Sequence, residues 1–187
     1  MLIARYAKIV MSLVLASFCL LVTFDNITDY GTNYLFVQHV MSMDTTFPGN
    51  TLMYRAIVNP TIWHIAYGLI IAAEGITGIL FLAGAIRLVQ LRNASGEAFN
   101  QSKTLVIAAC TLAFLVWFFG FMVVAGEWFA MWQSQTWNGQ DAAFRFYMAV
   151  LGVLIFVALP DGDLEAPHAA PAPKRRRTDK KTSPDAG

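Results

Sequence analysis

Four long apolar runs divide this sequence, and they constrain its fold more than any other feature. The runs cover residues 9–24, 61–88, 105–125 and 144–159. At about 1.5 Å of helix rise per residue they span roughly 24 to 42 Å, close to or above the ~30 Å hydrocarbon core of a bilayer. Because the backbone finds no water inside lipid, each run is predicted to be helical. The sequence therefore predicts an all-α membrane protein, with four transmembrane helices in an antiparallel bundle over residues 1–160.

The composition of the chain favours the same class. Hydrophobic residues make up 57% and charged residues 13% of the sequence, and the mean hydropathy is +0.52. A soluble protein, with typically about 25% charged residues, could not bury so much apolar surface. The formal net charge of +1 provides no overall field that would attract nucleic acid. Cys19 and Cys110 lie inside apolar runs, a placement that fits neither a disulfide framework nor a zinc site.

The distribution of lysine and arginine predicts the orientation. Eleven basic residues lie before the first run, between the end of the second run at Arg87 and the third run, or after the fourth, and only Arg55 and Arg145 fall on the other side. Basic loops stay on the cytoplasmic side, so both termini are expected in the cytoplasm. No small-residue cleavage site follows Phe24, so the first run is expected to remain as a helix.

Two segments on the opposite side, residues 25–60 and 126–143, are predicted to form an ordered periplasmic cap. Apolar residues at helical spacing in 36–41 predict a short amphipathic helix on that surface. Asn59 before Pro60 has the pattern of a helix N-cap and first turn. Tryptophans fill the second segment, and Asn138 before Gly139 predicts a turn ahead of the fourth helix.

The composition changes abruptly at Asp161. Residues 161–187 are rich in proline and charge and contain no aromatic residue, so they are predicted to be a disordered cytoplasmic tail. The basic run at 174–177 is interpreted as a topology determinant with weak attraction to anionic lipid, in preference to a nucleic-acid contact.

Glu74 is the principal candidate for a functional residue. It lies eleven residues past Trp63, about 16 Å deeper along the helix and near the bilayer midplane. A carboxyl group at that depth usually faces the bundle interior, where it is hydrogen-bonded or protonated. His64 and Tyr67 fall on the same helical stripe, so Glu74, His64 and Tyr67 form a candidate intramembrane polar site.

Two interpretations of that stripe remain open. In the first, it is a proton-carrying or ligand-binding track from the outer surface to Glu74. In the second, Glu74 bonds to Ser17 of the first helix or Thr111 of the third and only holds the helices together. Small residues at 75–78 and 83–85 place the second helix at the centre of the bundle, which favours the second interpretation.

The helix ends on the outer side suggest a second candidate site. This candidate periplasmic rim cluster comprises Asp25, His39, Glu127 and Arg145. Arg145 begins an apolar helix, so it is expected to pair with Glu127, Asp25 or Asp141.

The sequence predicts neither a cofactor nor a metal. His39 and His64 could ligate haem only at matched depth on facing helices, and their predicted positions differ. No phosphate-binding glycine loop, nucleophile elbow or zinc-protease motif is present in the sequence. The protein is therefore expected not to be an enzyme.

Four strings in the sequence resemble a bacterial family of predicted small integral membrane proteins of unknown function. The strings are DNITDYGTN (25–33), VQHVMSMDTTF (37–47), GEWFAMWQS (126–134) and WNGQ (137–140). The resemblance covers roughly residues 5–161 and implies a four-helix protein of the bacterial inner membrane with no established activity. Because the strings lie in the two outer segments, it also implies a site on the periplasmic face.

These observations lead to three hypotheses about function. The first is a non-enzymatic accessory or structural component of a larger membrane assembly, with membrane lipids and other membrane subunits as partners. The alternative is a small transporter or proton-linked carrier that uses Glu74, His64 and Tyr67. The third is a quinone- or haem-bearing redox subunit.

Overall fold

The fold is all-helical in a computed structural model that describes residues 2–164. Those residues contain no β-strand and form six α-helices: α1 (Leu2–Thr28), α2 (Tyr30–Ser42), α3 (Pro60–Gln90), α4 (Gly96–Gln101), α5 (Thr104–Phe114) and α6 (Gln140–Ala158). A π-helix continues α5 over Leu115–Trp128, and 3-10 turns lie at Met53–Arg55 and Met131–Gln133. Four helical stretches are long and apolar enough to cross a membrane: Leu2–Thr28, Pro60–Gln90, Gly96–Trp128 and Gln140–Ala158. The four predicted spans are confirmed.

The first span is much longer than the apolar run 9–24 that predicted it. At its beginning, Arg5 and Lys8 lie inside the helix and are buried, because carbonyl and carboxylate oxygens surround their charged ends. At its end, Asn26 is buried against a side chain of α3. Polar residues that flank an apolar run can thus extend the helix when other helices supply their hydrogen bonds.

Glycines allow α3 to pack closely on two neighbouring helices of the bundle. A Cβ on Gly78 would approach Leu20 of α1 to 2.8 Å, and one on Gly84 would approach Val106 of α5 to 2.7 Å. The backbone of α3 is therefore close to helices on two sides, which only residues without a side chain permit.

The second half of the third span is a π-helix, which the sequence did not indicate. Its 14 residues, Leu115–Trp128, follow α5 without a break. At its end, the amide of Phe129 donates to the carbonyl of Val124, five residues earlier, at 3.1 Å. Hydrogen bonds of this spacing are rare, and they often mark functional sites.

The segments 25–60 and 126–143 come together at one end of the bundle, called here the aromatic end. Val37, Val40 and Met41 of α2 are buried there in a cluster with Trp63 and Phe129. The predicted amphipathic helix is confirmed as part of the longer α2. The predicted cap of α3 is also confirmed, since Asn59 Oδ1 accepts a hydrogen bond from the Thr61 amide at 2.9 Å.

At the opposite end, Arg5, Lys8, Lys103 and Asp161 are buried together; this cluster is called here the basic end. The Nζ atoms of Lys8 and Lys103 each lie 2.6 Å from Asp161 Oδ2. Arg5 donates to the carbonyls of Arg92 and Ala94 at 2.8 and 2.7 Å. The contacts therefore join the start of α1, the α3–α4 connection, the start of α5 and the segment after α6.

This arrangement corrects the predicted boundary of the tail at Asp161. Burial by itself raises the pKa of Asp161, but the hydrogen bonds from Lys103 and Lys8 outweigh it and hold the pKa below its ordinary value. Asp161 is therefore an ionised part of the folded bundle, because the two buried ammonium groups require a carboxylate. Residues 165–187 of the predicted tail, with the basic run 174–177, lie outside the described residues.

Candidate functional site

Glu74 lies near the middle of α3 and faces the bundle interior, as predicted. Only 3% of its surface is exposed. Its Oε2 accepts a hydrogen bond from Asn26 Nδ2 of α1 at 2.7 Å. The predicted partners, Ser17 and Thr111, were wrong: both are exposed, and their hydroxyls donate to carbonyls of their own helices, Leu13 and Ile107.

Asn26 connects Glu74 to Tyr67. The Tyr67 hydroxyl lies 3.0 Å from the Asn26 backbone carbonyl and 3.2 Å from its side-chain Oδ1, and it donates to this pair of oxygens. Because the Tyr67 hydroxyl donates to Asn26 Oδ1, the amide nitrogen of the same side chain points its hydrogens toward the carboxyl group of Glu74. Asn26, Tyr67 and Glu74 thus form one hydrogen-bonded unit across α1 and α3, called here the polar triad.

His64, the third residue of the predicted stripe, is exposed and lies outside the triad. Its Nδ1 is hydrogen-bonded to the Tyr30 hydroxyl at 2.8 Å, and its ring stacks on Tyr34 at a centroid distance of 4.3 Å. The Tyr30 ring in turn packs against Tyr67 at 4.7 Å. His64 therefore reaches the triad through aromatic contacts, and the hydrogen bonds of the described residues do not connect it with Glu74.

A cavity of about 700 Å³ adjoins the polar triad. Its polar lining consists of Asn26, Asn33, Tyr67 and Glu74. Most of the other lining residues are apolar and come from α2, α3, the third span and α6. The second carboxyl oxygen of Glu74, Oε1, has no hydrogen-bond partner within residues 2–164. This oxygen is not enclosed by protein atoms, so it is open to the cavity. The cavity thus presents a free carboxyl oxygen in a mostly apolar space.

The cavity is open on one side. Leu69 of α3 and Leu115 and Phe119 of the π-helix line it, with 66%, 50% and 52% of their surfaces exposed. The opening therefore lies along the seam between α3 and the π-helix, and it faces the surface that the spans present to lipid.

The predicted rim cluster of Asp25, His39, Glu127 and Arg145 contains no ion pair among these four residues. Arg145 makes no ion pair with any of residues 2–164, so the predicted pairing with Glu127, Asp25 or Asp141 was wrong. Asp25, Glu127 and Arg145 are all exposed, and exposed charges gain little free energy from pairing. His39 instead lies 2.8 Å from Asp44 and stacks on Trp137.

The histidines and cysteines have separate surroundings. His39 and His64 contact different aromatic residues, and Cys19 and Cys110 are buried free thiols. Over the described range 2–164, no three histidine, cysteine or carboxylate side chains are grouped as a metal site.

Asn26 is the site residue that sequence reasoning missed, because it was assigned to the loop after the first span. The sequence does contain a pattern that indicates the position of Asn26 on the packed face of α1. Arg5, Ser12, Cys19 and Asn26 recur every seven residues, and all four are buried. Seven residues are close to two helical turns, so small and polar residues at this spacing mark the face of α1 that packs on α3.

The fold and the triad define a small multi-span membrane protein with a polar site buried inside its helix bundle. Comparison with protein families agrees with that class. The chain belongs to the family described as "Predicted small integral membrane protein (DUF2165)", whose model matches residues 4–160. No curated protein and no solved structure shows a significant match to the chain. The family is one of unknown function and supplies no site residues.

Proposed function

We propose that this protein binds a lipophilic molecule inside the bundle and performs no chemistry on it. The observation that supports this function is the open cavity of about 700 Å³, in which Glu74 Oε1 is an unpartnered polar atom. Small-molecule sites commonly have volumes of about 300–1,000 Å³, with mostly apolar linings and a few polar groups that orient the ligand. The cavity matches that description in size and in lining.

Each residue of the triad has a distinct part in this proposal. Glu74 is the residue that contacts the ligand, through Oε1. Asn26 is a positioning residue, since its amide fixes Oε2 at 2.7 Å and so sets the direction of the free oxygen. Tyr67 positions Asn26 in turn. A binding role without catalysis also agrees with the lack of any recognised catalytic motif in the sequence.

Filling the cavity is expected to remove the ligand while the protein stays folded. Gly120 lines the cavity, and a Cβ there would meet only the Leu115 carbonyl, at 3.8 Å. Gly120→Phe therefore places a ring in free space. We expect the lipids that co-purify with the wild-type protein in mild detergent, measured by mass spectrometry, to be largely absent from this variant.

Gly152→Phe is the matched control for that experiment. Gly152 is an exposed glycine of α6 that does not line the cavity, and a Cβ there would meet nothing within 4 Å. The control is expected to retain the wild-type set of lipids. Equal lipid content in the two variants would contradict the proposed function.

We also propose that the protein lies in a bacterial inner membrane with both termini in the cytoplasm. The clustering of Arg5, Lys8 and Lys103 at one end supports this orientation, because basic residues favour the cytoplasmic side. Arg55 lies in the segment 25–60 and Arg145 lies in the second turn of α6, so both are near the aromatic end, which is then periplasmic. A membrane-impermeant thiol reagent applied to intact cells should label Thr51→Cys, an exposed position in the 25–60 segment, and leave Asn93→Cys, an exposed position in the connection after α3, unlabelled.

A role as an accessory subunit is a second candidate function, and one observation favours it. Trp128 and Trp132 are exposed at the aromatic end, and Arg55 lies over the Trp128 ring at 4.8 Å beside a surface groove of about 620 Å³. Exposed tryptophan and arginine are enriched in protein interfaces. If this surface binds another membrane subunit, that subunit should co-purify with the wild type and be lost from the Trp128→Ala/Trp132→Ala variant. Recovery of the wild type alone and monodisperse would contradict the role.

A further inference from the structure

We propose that the ligand of this cavity is a lipophilic organic cation. The inference rests on the proposed binding function and specifies the chemical class of the ligand. It follows from the charges that line the cavity and from the kind of side chain that surrounds them.

The first argument is electrostatic. Among the lining residues that the structure describes, Glu74 is the one acidic side chain, and none is a lysine, arginine or histidine. The hydrogen-bond partner of Glu74 is the neutral amide of Asn26. A buried carboxylate without a cation is strongly disfavoured, and a cationic ligand would remove that penalty. An anionic amphiphile would instead place a second negative charge beside the first.

The three buried cations that the structure describes cannot take that role, and the other described arginines do not line the cavity either. Lys8 and Lys103 are bonded to Asp161, and Arg5 is bonded to backbone carbonyls at the same end. None of these three side chains lines the cavity. The carboxyl group of Glu74 therefore has no counter-ion among the described residues, and a cation that arrives from outside the protein can supply one.

The second argument is the aromatic content of the lining. Six aromatic side chains besides Tyr67 contribute to it: Phe36, Trp117, Phe119, Phe121, Phe129 and Phe146. The faces of aromatic rings attract organic cations, and the attraction is stronger where water is excluded. These rings also provide the apolar surface that the hydrophobic part of such a ligand requires. Charge and lining thus favour the same class of molecule.

The test uses two probes of similar shape and opposite charge. Radiolabelled tetraphenylphosphonium is titrated against the purified full-length protein in an uncharged detergent, and tetraphenylborate is titrated in a separate experiment because the two ions precipitate together as a salt. We expect saturable binding of the phosphonium and no saturable binding of the borate. Glu74→Gln is expected to weaken phosphonium binding by at least about tenfold, because the amide removes the charge.

Asp25→Asn is the matched control. It removes a carboxylate from the exposed neighbour of Asn26, outside the cavity lining, and should leave phosphonium binding unchanged. Glu74→Gln is expected to fold, since its side-chain oxygen can still accept the hydrogen bond from Asn26. Gly120→Phe provides a second variant with the charge intact, and it should abolish binding by occupying the space.

Three results would overturn the inference: equal phosphonium affinity in Glu74→Gln and the wild type, equal binding of the borate, or undiminished binding in Gly120→Phe. Failure of this inference is distinguishable from failure of the proposed function. If the phosphonium does not bind, yet Gly120→Phe loses co-purifying lipid and Gly152→Phe does not, the cavity binds a ligand of another class. If both glycine variants retain the same lipids and the same probe binding, both proposals are wrong.

Discussion

Asp161→Ala is expected to destabilise the folded protein by about 3–5 kcal/mol, because it leaves two buried ammonium groups without a carboxylate. The Nζ atoms of Lys8 and Lys103 both lie 2.6 Å from Asp161 Oδ2, and all three side chains are buried. After the substitution, these groups retain only neutral oxygens such as the Leu159 carbonyl. Thermal unfolding in detergent, followed by the fraction that remains monodisperse, measures the effect.

Asp163→Ala is the control. Asp163 is exposed and accepts one hydrogen bond, from the Gly96 amide at 2.7 Å, so its loss should have a much smaller effect. If the two variants unfold at the same temperature, the basic end does not stabilise the bundle in the way described.

The same ion pairs give stability a defined dependence on pH. The pKa of Asp161 in the folded protein is below its ordinary value, which is about 3.9 in an unfolded chain. Its contribution is therefore complete above that value and is lost as the pH falls through the folded-state pKa. The difference in stability between the wild type and Asp161→Ala should be constant near neutral pH and should shrink in acid. A difference that grew in acid would contradict this linkage.

Gly84→Ala is expected to destabilise the bundle by about 1–3 kcal/mol, the usual effect of overpacking a tight contact. The added Cβ would lie 2.7 Å from Val106 Cγ2 and 3.0 Å from the Val106 backbone nitrogen. A side-chain methyl group can move aside, but the backbone of α5 cannot do so without displacing the helix. Thermal unfolding in detergent should show a lower midpoint than the wild type.

Gly68→Ala makes the same change in the same helix without the contact. A Cβ there would meet nothing within 4 Å, so this variant should be unchanged or more stable by up to about 1 kcal/mol, the helix preference of alanine over glycine. The two substitutions are thus expected to differ in sign. A stabilising effect at Gly84 would show that α3 and α5 are less closely packed than described.

The apolar runs were sufficient to predict the four spans, and the small residues of α3 were sufficient to predict its close packing on other helices. Lipid forces any long apolar run into a helix, whatever its neighbours. Glycines such as Gly78 and Gly84 indicate close approach because only a missing side chain permits it. Helix ends were less predictable, since the extension of α1 to Asn26 depends on a partner in α3 that is distant in sequence.

The candidate site was predictable only in part, for a similar reason. Glu74 and Tyr67 share one face of one helix, so their spacing alone placed them together. Asn26 comes from another helix, and its hydrogen bond depends on tertiary packing. The predicted ion pair of Arg145 in the rim cluster is absent because proximity to a helix end does not by itself bring exposed charges together. The π-helix depends on a different hydrogen-bond register, which residue types in 115–128 do not reveal.

The bonds at the basic end also determine which motions the bundle can make. At the basic end, hydrogen bonds and ion pairs of Arg5, Lys8 and Lys103 join four parts of the chain. Toward the aromatic end, α3 and the π-helix border an open cavity. We expect the seam between α3 and the π-helix to widen more easily than the basic end, because buried ion pairs hold the basic end together. The seam beside Glu74 would then widen without any break in the buried ion pairs. Entry of a ligand would leave the basic end unchanged.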